Sequence, residues 1–153
     1  MILKVSGAAY STVCEHAEAA YPDEAAGFLL GTDRGDLRSV VAALPQSNRF
    51  DPDQRRRRYR IDPQEVLKAE QAAEARGLEI IGIFHSHPDH PPEPSEFDLE
   101  WSLPWYSYMI TSVRSGIAEN SRCWRLDEKR TQFIEETLEL ETSQTESRGS
   151  RSA

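Results

Sequence analysis

Residues 78–98 read LEIIGIFHSHPDHPPEPSEFD, and the fold and the chemistry are both decided by this stretch. The apolar, β-branched residues 78–84 predict a central buried strand. His85 and His87 follow at once, and because alternate residues of an extended chain point to the same side, both imidazoles can face one ion. Asp98 adds a carboxylate eleven residues after His87. Three such ligands leave a fourth tetrahedral position open, which is typical of catalytic zinc sites.

Ser95 and Asp98 also have a purely structural interpretation. A short helix is predicted from about Ser95 to Leu103, stopped by Pro104, and Ser-x-x-Asp at its start matches an approximate capping box. The two interpretations are compatible, because a helix N-terminus can hold an acidic ligand beside a cation. Capping alone leaves the paired histidines unexplained.

Upstream of this stretch the hydrophobic periodicity predicts three strands and two helices. The strands are predicted at 2–6, 25–31 and 37–44, and the helices at 8–20 and 63–76. Asp62 is predicted to cap the second helix, with Pro63 at its first position and Glu65 completing a capping box. Cys14 falls on the apolar face of the first helix and is predicted to be buried, whereas His16 lies off that face and is predicted to be exposed.

Downstream, a hairpin of two strands and one last strand complete the predicted fold. The hairpin covers 105–113 and 116–126, and residues 131–140 are interpreted as an edge strand rather than a helix. The alternation of strands and helices places the chain in the α/β class. We predict one domain over residues 1–140 and a disordered tail over 141–153, where apolar periodicity is missing.

Composition excludes several classes of protein. The 153 residues carry 18 Lys and Arg against 26 Asp and Glu, a net charge of −8. This balance argues against a protein that tracks nucleic-acid phosphates. There is no apolar run long enough for a membrane span and no signal peptide, so a cytoplasmic protein without membrane contact is predicted. The arginines at 55–58 are interpreted as a solvated loop or as a contact for an acidic protein partner.

Two segments resemble the signatures of the JAMM (MPN+) metalloprotease family. HSHPDHPPEPSEFD (85–98) matches the metal-binding signature without a gap, and YPDEAAGFLLG (21–31) is similar to the Pro-x-Glu-x-x-Gly-x-Leu-x-Gly signature. Similarity continues through 59–63 and 104–110 and covers about residues 2–140. The resemblance implies an MPN/JAMM fold, which is cytidine-deaminase-like, with a central mixed β-sheet flanked by helices.

The same resemblance implies a role for each matching residue. His85, His87 and Asp98 are expected to hold one catalytic zinc ion, Glu24 to act as general base and acid, and Ser95 to stabilise the developing oxyanion. The chemistry agrees with this assignment, because zinc makes water a usable nucleophile near neutral pH and a carboxylate can shuttle its proton to the leaving amine.

Other classes fit the sequence less well. The H-x-E and P-C-x-x-C signature of zinc nucleobase deaminases is missing. Pro88 and Asp89 disfavour a histidine-triad hydrolase, and the predicted burial of Cys14 disfavours a Cys/His hydrolase. A catalytically inactive MPN scaffold or binding module is the main alternative, although all five functional positions are present. His90 is no ligand of the signature and is expected to be solvated or to contact substrate.

The resemblance also bears on the substrate. The family hydrolyses the bond after the C-terminal glycines of ubiquitin or ubiquitin-like proteins, and this short chain is similar to prokaryotic members associated with ubiquitin-like sulfur carriers of the thiamine, molybdopterin and cysteine pathways. Release of a cysteine or another amino acid from a carrier is the leading hypothesis, and isopeptide cleavage of a protein conjugate is the second. A monomer or a homodimer is expected.

Overall fold

Seven β-strands and three α-helices make up residues 1–141, the part of the chain that this computed structural model describes. The strands are β1 (Ile2–Val5), β2 (Ala26–Asp33), β3 (Leu37–Gln46), β4 (Glu79–Pro88), β5 (Ser107–Arg114), β6 (Ile117–Leu126) and β7 (Phe133–Leu140). The helices are α1 (Gly7–Ala20), α2 (Pro63–Ala75) and α3 (Glu96–Trp101), and a 3-10 turn spans Pro52–Gln54. Apart from Glu141, the predicted disordered tail lies outside the described residues.

The strands form one mixed sheet in the order β1-β3-β2-β4-β5-β6-β7, and β1 also pairs with β7 to close a barrel. Three pairs are parallel, namely β1 with β3, β1 with β7 and β4 with β5, and the others are antiparallel. The predictions of a mixed sheet and of a last strand near 131–140 are confirmed. Closure of the sheet was not predicted, because it pairs the two ends of the sequence.

Two helices cover the sheet and bury both faces of β2. Ala9 and Val13 of α1 pack with Leu29 and other residues in one apolar cluster. Ala69 and Ala73 of α2 pack with the neighbouring β2 side chains in a second cluster. Burial on both faces explains why the strand sequence is almost continuously apolar rather than alternating.

Strand β4 is longer than the sequence predicted. It runs to Pro88 instead of ending at Phe84, because residues 82–88 pair in parallel with residues 107–113 of β5. His85 and His87 therefore lie within the sheet. The extended backbone at both residues keeps their side chains on one side, as the spacing required.

Three local predictions were wrong. Asp62 is the N-cap residue of α2 as predicted, but the capping box with Glu65 is not formed. The Asp62 side chain makes no cap hydrogen bond, and its carboxylate lies 3.8 Å from Arg49 and 3.9 Å from Arg60. Cys14 is half-buried rather than buried. His16 is half-buried rather than exposed, and its Nε2 lies 3.1 Å from the carbonyl oxygen of Gln46.

Among residues 1–141, every helix is too short or too polar to cross a membrane.

Candidate metal centre

The three predicted metal ligands converge at the end of β4. The Nε2 atoms of His85 and His87 each lie 3.3 Å from Oδ2 of Asp98, and all three side chains are buried. Tetrahedral ligands at about 2.0–2.1 Å from a zinc ion stand roughly 3.3 Å apart. Two imidazole nitrogens and a carboxylate oxygen at this spacing are therefore suited to a metal ion.

Asp98 is fixed by the start of α3. The backbone N–H of Ser95 donates to Asp98 Oδ2 at 2.9 Å, and the backbone N–H of Asp98 donates to Ser95 Oγ at 3.1 Å. The predicted capping box is thus formed, and the same carboxylate faces the histidines. Burial alone would raise the pKa of Asp98, but the adjacent imidazoles of His85 and His87 and the backbone N–H of Ser95 lower it below its ordinary value.

The two histidines are oriented by different means. Nδ1 of His87 lies 2.9 Å from the carbonyl oxygen of Pro91, which can only accept, so Nδ1 carries the proton and Nε2 keeps a lone pair for a metal. Nδ1 of His85 is buried and has no hydrogen-bond partner among the described residues. Its ring is instead stacked on Tyr59, with 4.7 Å between centroids and 27° between planes.

Glu24 lies in the segment that leads into β2 and is only 4% exposed. Its backbone N–H donates to the carbonyl oxygen of Arg55 at 2.7 Å, and its carbonyl oxygen accepts from Nδ2 of Asn48 at 2.9 Å. Among the described residues, its side-chain Oε1 has no hydrogen-bond partner. Burial and, next, the negative charge of Asp98 raise the pKa of the Glu24 carboxyl well above its ordinary value.

Ser86, between the two histidines, contacts the residue that follows Glu24 in the chain. Its buried hydroxyl oxygen accepts a hydrogen bond from the backbone N–H of Ala25 at 2.8 Å. The strand that presents the histidines thus also holds the residue after Glu24. Sequence reasoning missed this contact, because the alternation of β4 shows only that Ser86 points away from the histidines.

Two cavities meet at this centre. A cavity of about 300 Å³ brings Glu24, His87 and Ser95 together and also has His90 on its wall. A larger cavity of about 660 Å³ begins beside Asp98 and is mainly apolar, with Tyr59, Phe97, Trp101 and Tyr108 among its lining residues. All five predicted site residues therefore lie around one centre. It borders one cavity lined largely by ionisable side chains, the polar cavity, and one lined largely by aromatic and aliphatic side chains, the apolar cavity.

Comparison with known proteins agrees with this geometry. The Prok-JAB family, described as prokaryotic homologs of the JAB domain, matches residues 7–127. This chain belongs to the Prok-JAB family. The matched residues include both predicted signatures and the three predicted metal ligands, His85, His87 and Asp98. It confirms the resemblance to short prokaryotic JAMM-type proteins that the two signatures indicated.

The chain is also similar to curated proteins. The chain is 38% identical over 111 residues to a protein named desampylase from Haloferax volcanii, covering 71% of this chain and 75% of the relative. It is 27% identical over 129 residues to a CysO-cysteine peptidase of Mycobacterium tuberculosis, covering 82% of this chain and 83% of the relative.

Solved structures show the same Prok-JAB architecture. A protein from Desulfitobacterium hafniense superposes with a TM-score of 0.79 at 29% identity, over 92% of this chain and 94% of the other. A JAB1/MPN domain protein from Archaeoglobus fulgidus superposes with a TM-score of 0.52 at 20% identity, over 89% of this chain and 98% of the other, which bears on the fold alone. The MPN/JAMM fold prediction is confirmed.

Proposed function

We propose that this chain is a zinc-dependent hydrolase that cleaves the peptide or isopeptide bond after the C-terminal Gly-Gly of a ubiquitin-like or sulfur-carrier protein. The observation that carries the proposal is the pair of imidazole nitrogens 3.3 Å from one carboxylate oxygen, in a centre shared with the buried Glu24. The names of the relatives, desampylase and CysO-cysteine peptidase, support this substrate class.

His85, His87 and Asp98 would hold the zinc ion. Bound there, zinc supplies a Lewis acid that polarises the scissile carbonyl and makes water nucleophilic near neutral pH. The lowered pKa of Asp98 keeps this ligand ionised, and the hydrogen bond from His87 Nδ1 to Pro91 keeps Nε2 free. Asp98 and His87 thus have the protonation states that metal ligands require.

Glu24 would move the proton. A buried carboxyl with a raised pKa can accept a proton from the attacking water and return it to the leaving amine within one catalytic cycle. The backbone N–H and carbonyl groups of Glu24 are hydrogen-bonded to Arg55 and Asn48. The backbone, and not a side-chain hydrogen bond, therefore positions the carboxyl.

Ser95 would stabilise the oxyanion that develops on the scissile carbonyl. Its Oγ accepts the capping hydrogen bond from Asp98, and this bond uses a lone pair while the hydroxyl proton stays available to donate. Ser95 is exposed on the wall of the cavity that also holds Glu24 and His87. A donor in this place suits the transition state of acyl transfer.

The apolar cavity would receive the C-terminal tail of the carrier. It lies beside Asp98, measures about 660 Å³ and has a wall of aromatic side chains. An extended tail could lie along it with its apolar side chains buried and its terminal glycines, which have no side chains, at the metal.

Metal analysis combined with a cleavage assay tests the proposed function. We expect about one zinc ion per chain and hydrolysis of a carrier extended beyond Gly-Gly. Stoichiometric zinc without turnover on any ubiquitin-like substrate would contradict the substrate class. A chain that binds no zinc would instead be the inactive scaffold.

Tyr59 provides a separate test of the zinc site. Because stacking replaces the hydrogen bond that commonly orients a metal-ligating histidine, we expect Tyr59→Leu to weaken zinc binding about 10- to 100-fold, as losing an outer-sphere partner does. Tyr59→Phe keeps the ring and should bind zinc within about twofold of the wild type. Competition with a chromophoric chelator measures both affinities. Wild-type affinity in Tyr59→Leu would contradict the role of the ring, and equal loss in both variants would assign it to the hydroxyl.

A further inference from the structure

The four arginines at 55–58 differ in their side-chain contacts. Two of them have a partner within the chain, and two have none among residues 1–141. Nε of Arg55 donates to the carbonyl oxygen of Phe50 at 2.7 Å, and the guanidinium of Arg58 lies over the ring of Phe97 at 5.0 Å. Arg56 and Arg57 are exposed, and neither lies within ion-pair distance of a carboxylate of residues 1–141. Arg56 and Arg57 are therefore the two arginines of the run whose side chains have no partner among residues 1–141.

Arg57 stands where two polar cavities adjoin. Together with His90 it lines the cavity of about 300 Å³ that contains Glu24, and the same two residues line an outer cavity of about 650 Å³. Arg56 lies on the wall of the outer cavity. A group leaving the Glu24 cavity would therefore pass two guanidinium groups.

The acidic side chains of these cavities are largely engaged elsewhere. Glu93 accepts a hydrogen bond from Arg122 at 2.9 Å. Asp89 accepts hydrogen bonds from the Tyr21 hydroxyl at 2.6 Å and from the backbone N–H of Ser115 at 2.8 Å. In the described part of the chain, Asp53 and the Oε1 atom of Glu24 have no such partner. In the Glu24 cavity the charge of Glu93 is offset by Arg122, whereas Arg57 has no ion-pair partner among residues 1–141, which favours an anionic ligand there. The outer cavity has Asp53 and Asp89 on its wall beside Arg56 and Arg57.

The position of Glu24 indicates which part of the substrate lies here. The group that protonates the leaving amine must be within hydrogen-bond reach of it, so the leaving group lies on the Glu24 side of the metal centre. Glu24 lines the polar cavity and is not among the residues of the apolar one. The carrier tail then lies on the apolar side, and the residue after Gly-Gly lies beside Arg57.

We propose that Arg57, backed by Arg56, binds the free α-carboxylate of the residue that is released, so that the preferred leaving group is a single amino acid. In such a residue the carboxyl carbon is two bonds from the amine, within reach of a side chain that borders the Glu24 cavity. A lysine in an isopeptide has its α-carboxyl in the peptide chain of the target protein and offers no such anion. This inference rests on the proposed function and specifies its leaving group.

Three substrates and two enzyme variants test the inference. The probe is a recombinant ubiquitin-like sulfur-carrier protein whose Gly-Gly is extended by one alanine, prepared as the free acid, as the carboxamide, and with Gly-Gly joined to Nε of a lysine in a short peptide. The variants are Arg57→Gln and the matched control Arg49→Gln, whose exposed arginine belongs to the same loop but lies 3.8 Å from Asp62 and away from the cavities.

We expect the wild type to cleave the free acid with a kcat/KM about 10- to 100-fold above the carboxamide, as for a hydrogen bond to a charged group. Arg57→Gln should remove this preference by slowing only the free acid, and Arg49→Gln should retain it. Equal cleavage of acid and carboxamide by the wild type, an equal loss on both substrates in Arg57→Gln, or faster cleavage of the isopeptide would overturn the inference while leaving the proposed function intact. Failure of the zinc-loaded wild type on all three substrates would overturn both.

Discussion

Glu24→Gln should lower kcat about 10²- to 10⁴-fold, the range expected when a general acid and base is removed. The amide cannot accept the proton of the attacking water, while its shape is almost that of the carboxyl it replaces. Zinc content should stay at about one ion per chain, because Glu24 is not among the three clustered ligands. Single-turnover cleavage of the extended carrier and metal analysis measure the two quantities on the same preparation.

Stability gives this variant an internal control. The raised pKa of Glu24 means that the metal-free folded state holds this proton more tightly than the unfolded chain, whose glutamates titrate near about 4.3. The resulting stabilisation is complete below that pH and is lost as the pH rises through the folded-state pKa. Metal-free Glu24→Gln should therefore melt above the wild type at pH 8 and close to it at pH 4. Wild-type kcat in the variant would exclude Glu24 as the catalytic acid and base.

His87→Ala should abolish both zinc binding and activity. Removing even an outer-sphere partner of a metal ligand lowers metal affinity about 10- to 100-fold. Removing a direct ligand should therefore lower zinc affinity by more than about 100-fold. The remaining His85 and Asp98 would offer only two protein ligands, fewer than the three that catalytic zinc sites use. Zinc content after dialysis and cleavage of the extended carrier report the effect.

His90→Ala is the matched variant for zinc binding, because His90 lies three residues after His87, just beyond the end of β4, and outside the ligand cluster. It should keep its zinc. Retention of zinc by His87→Ala, or its loss from His90→Ala, would show that the ligand set is wrong.

The ligand set was predictable because local geometry determines it. Two histidines at i and i+2 need only extended backbone to share a side, and Asp98 needs only the first turn of α3, which Ser95 begins. The same holds for Pro63 at the start of α2. Each of these arrangements depends on residues close together in sequence, which propensity and spacing describe well.

Contacts between distant segments were not predictable in this way. The stacking of Tyr59 on His85 and the hydrogen bond from Ala25 to Ser86 join residues 26 and 61 positions apart, and neither leaves a periodic signal. Asp62 shows the converse error. Its position favours a cap, but the neighbouring arginines at 49 and 60 compete for the same carboxylate.

The pairing of β1 with β7 has a consequence for how the chain folds during synthesis. Ile2 is the register partner of Thr137, and Val5 is the register partner of Leu140. Because synthesis proceeds from the N-terminus, β1 is made before the other strands of the sheet, and its second neighbour, β7, is made after them. Until then one edge of β1 and one edge of β6 stay open to pairing with other chains. We expect nascent chains that end before β7 to aggregate or to recruit chaperones, and release of the final strand to end that exposure.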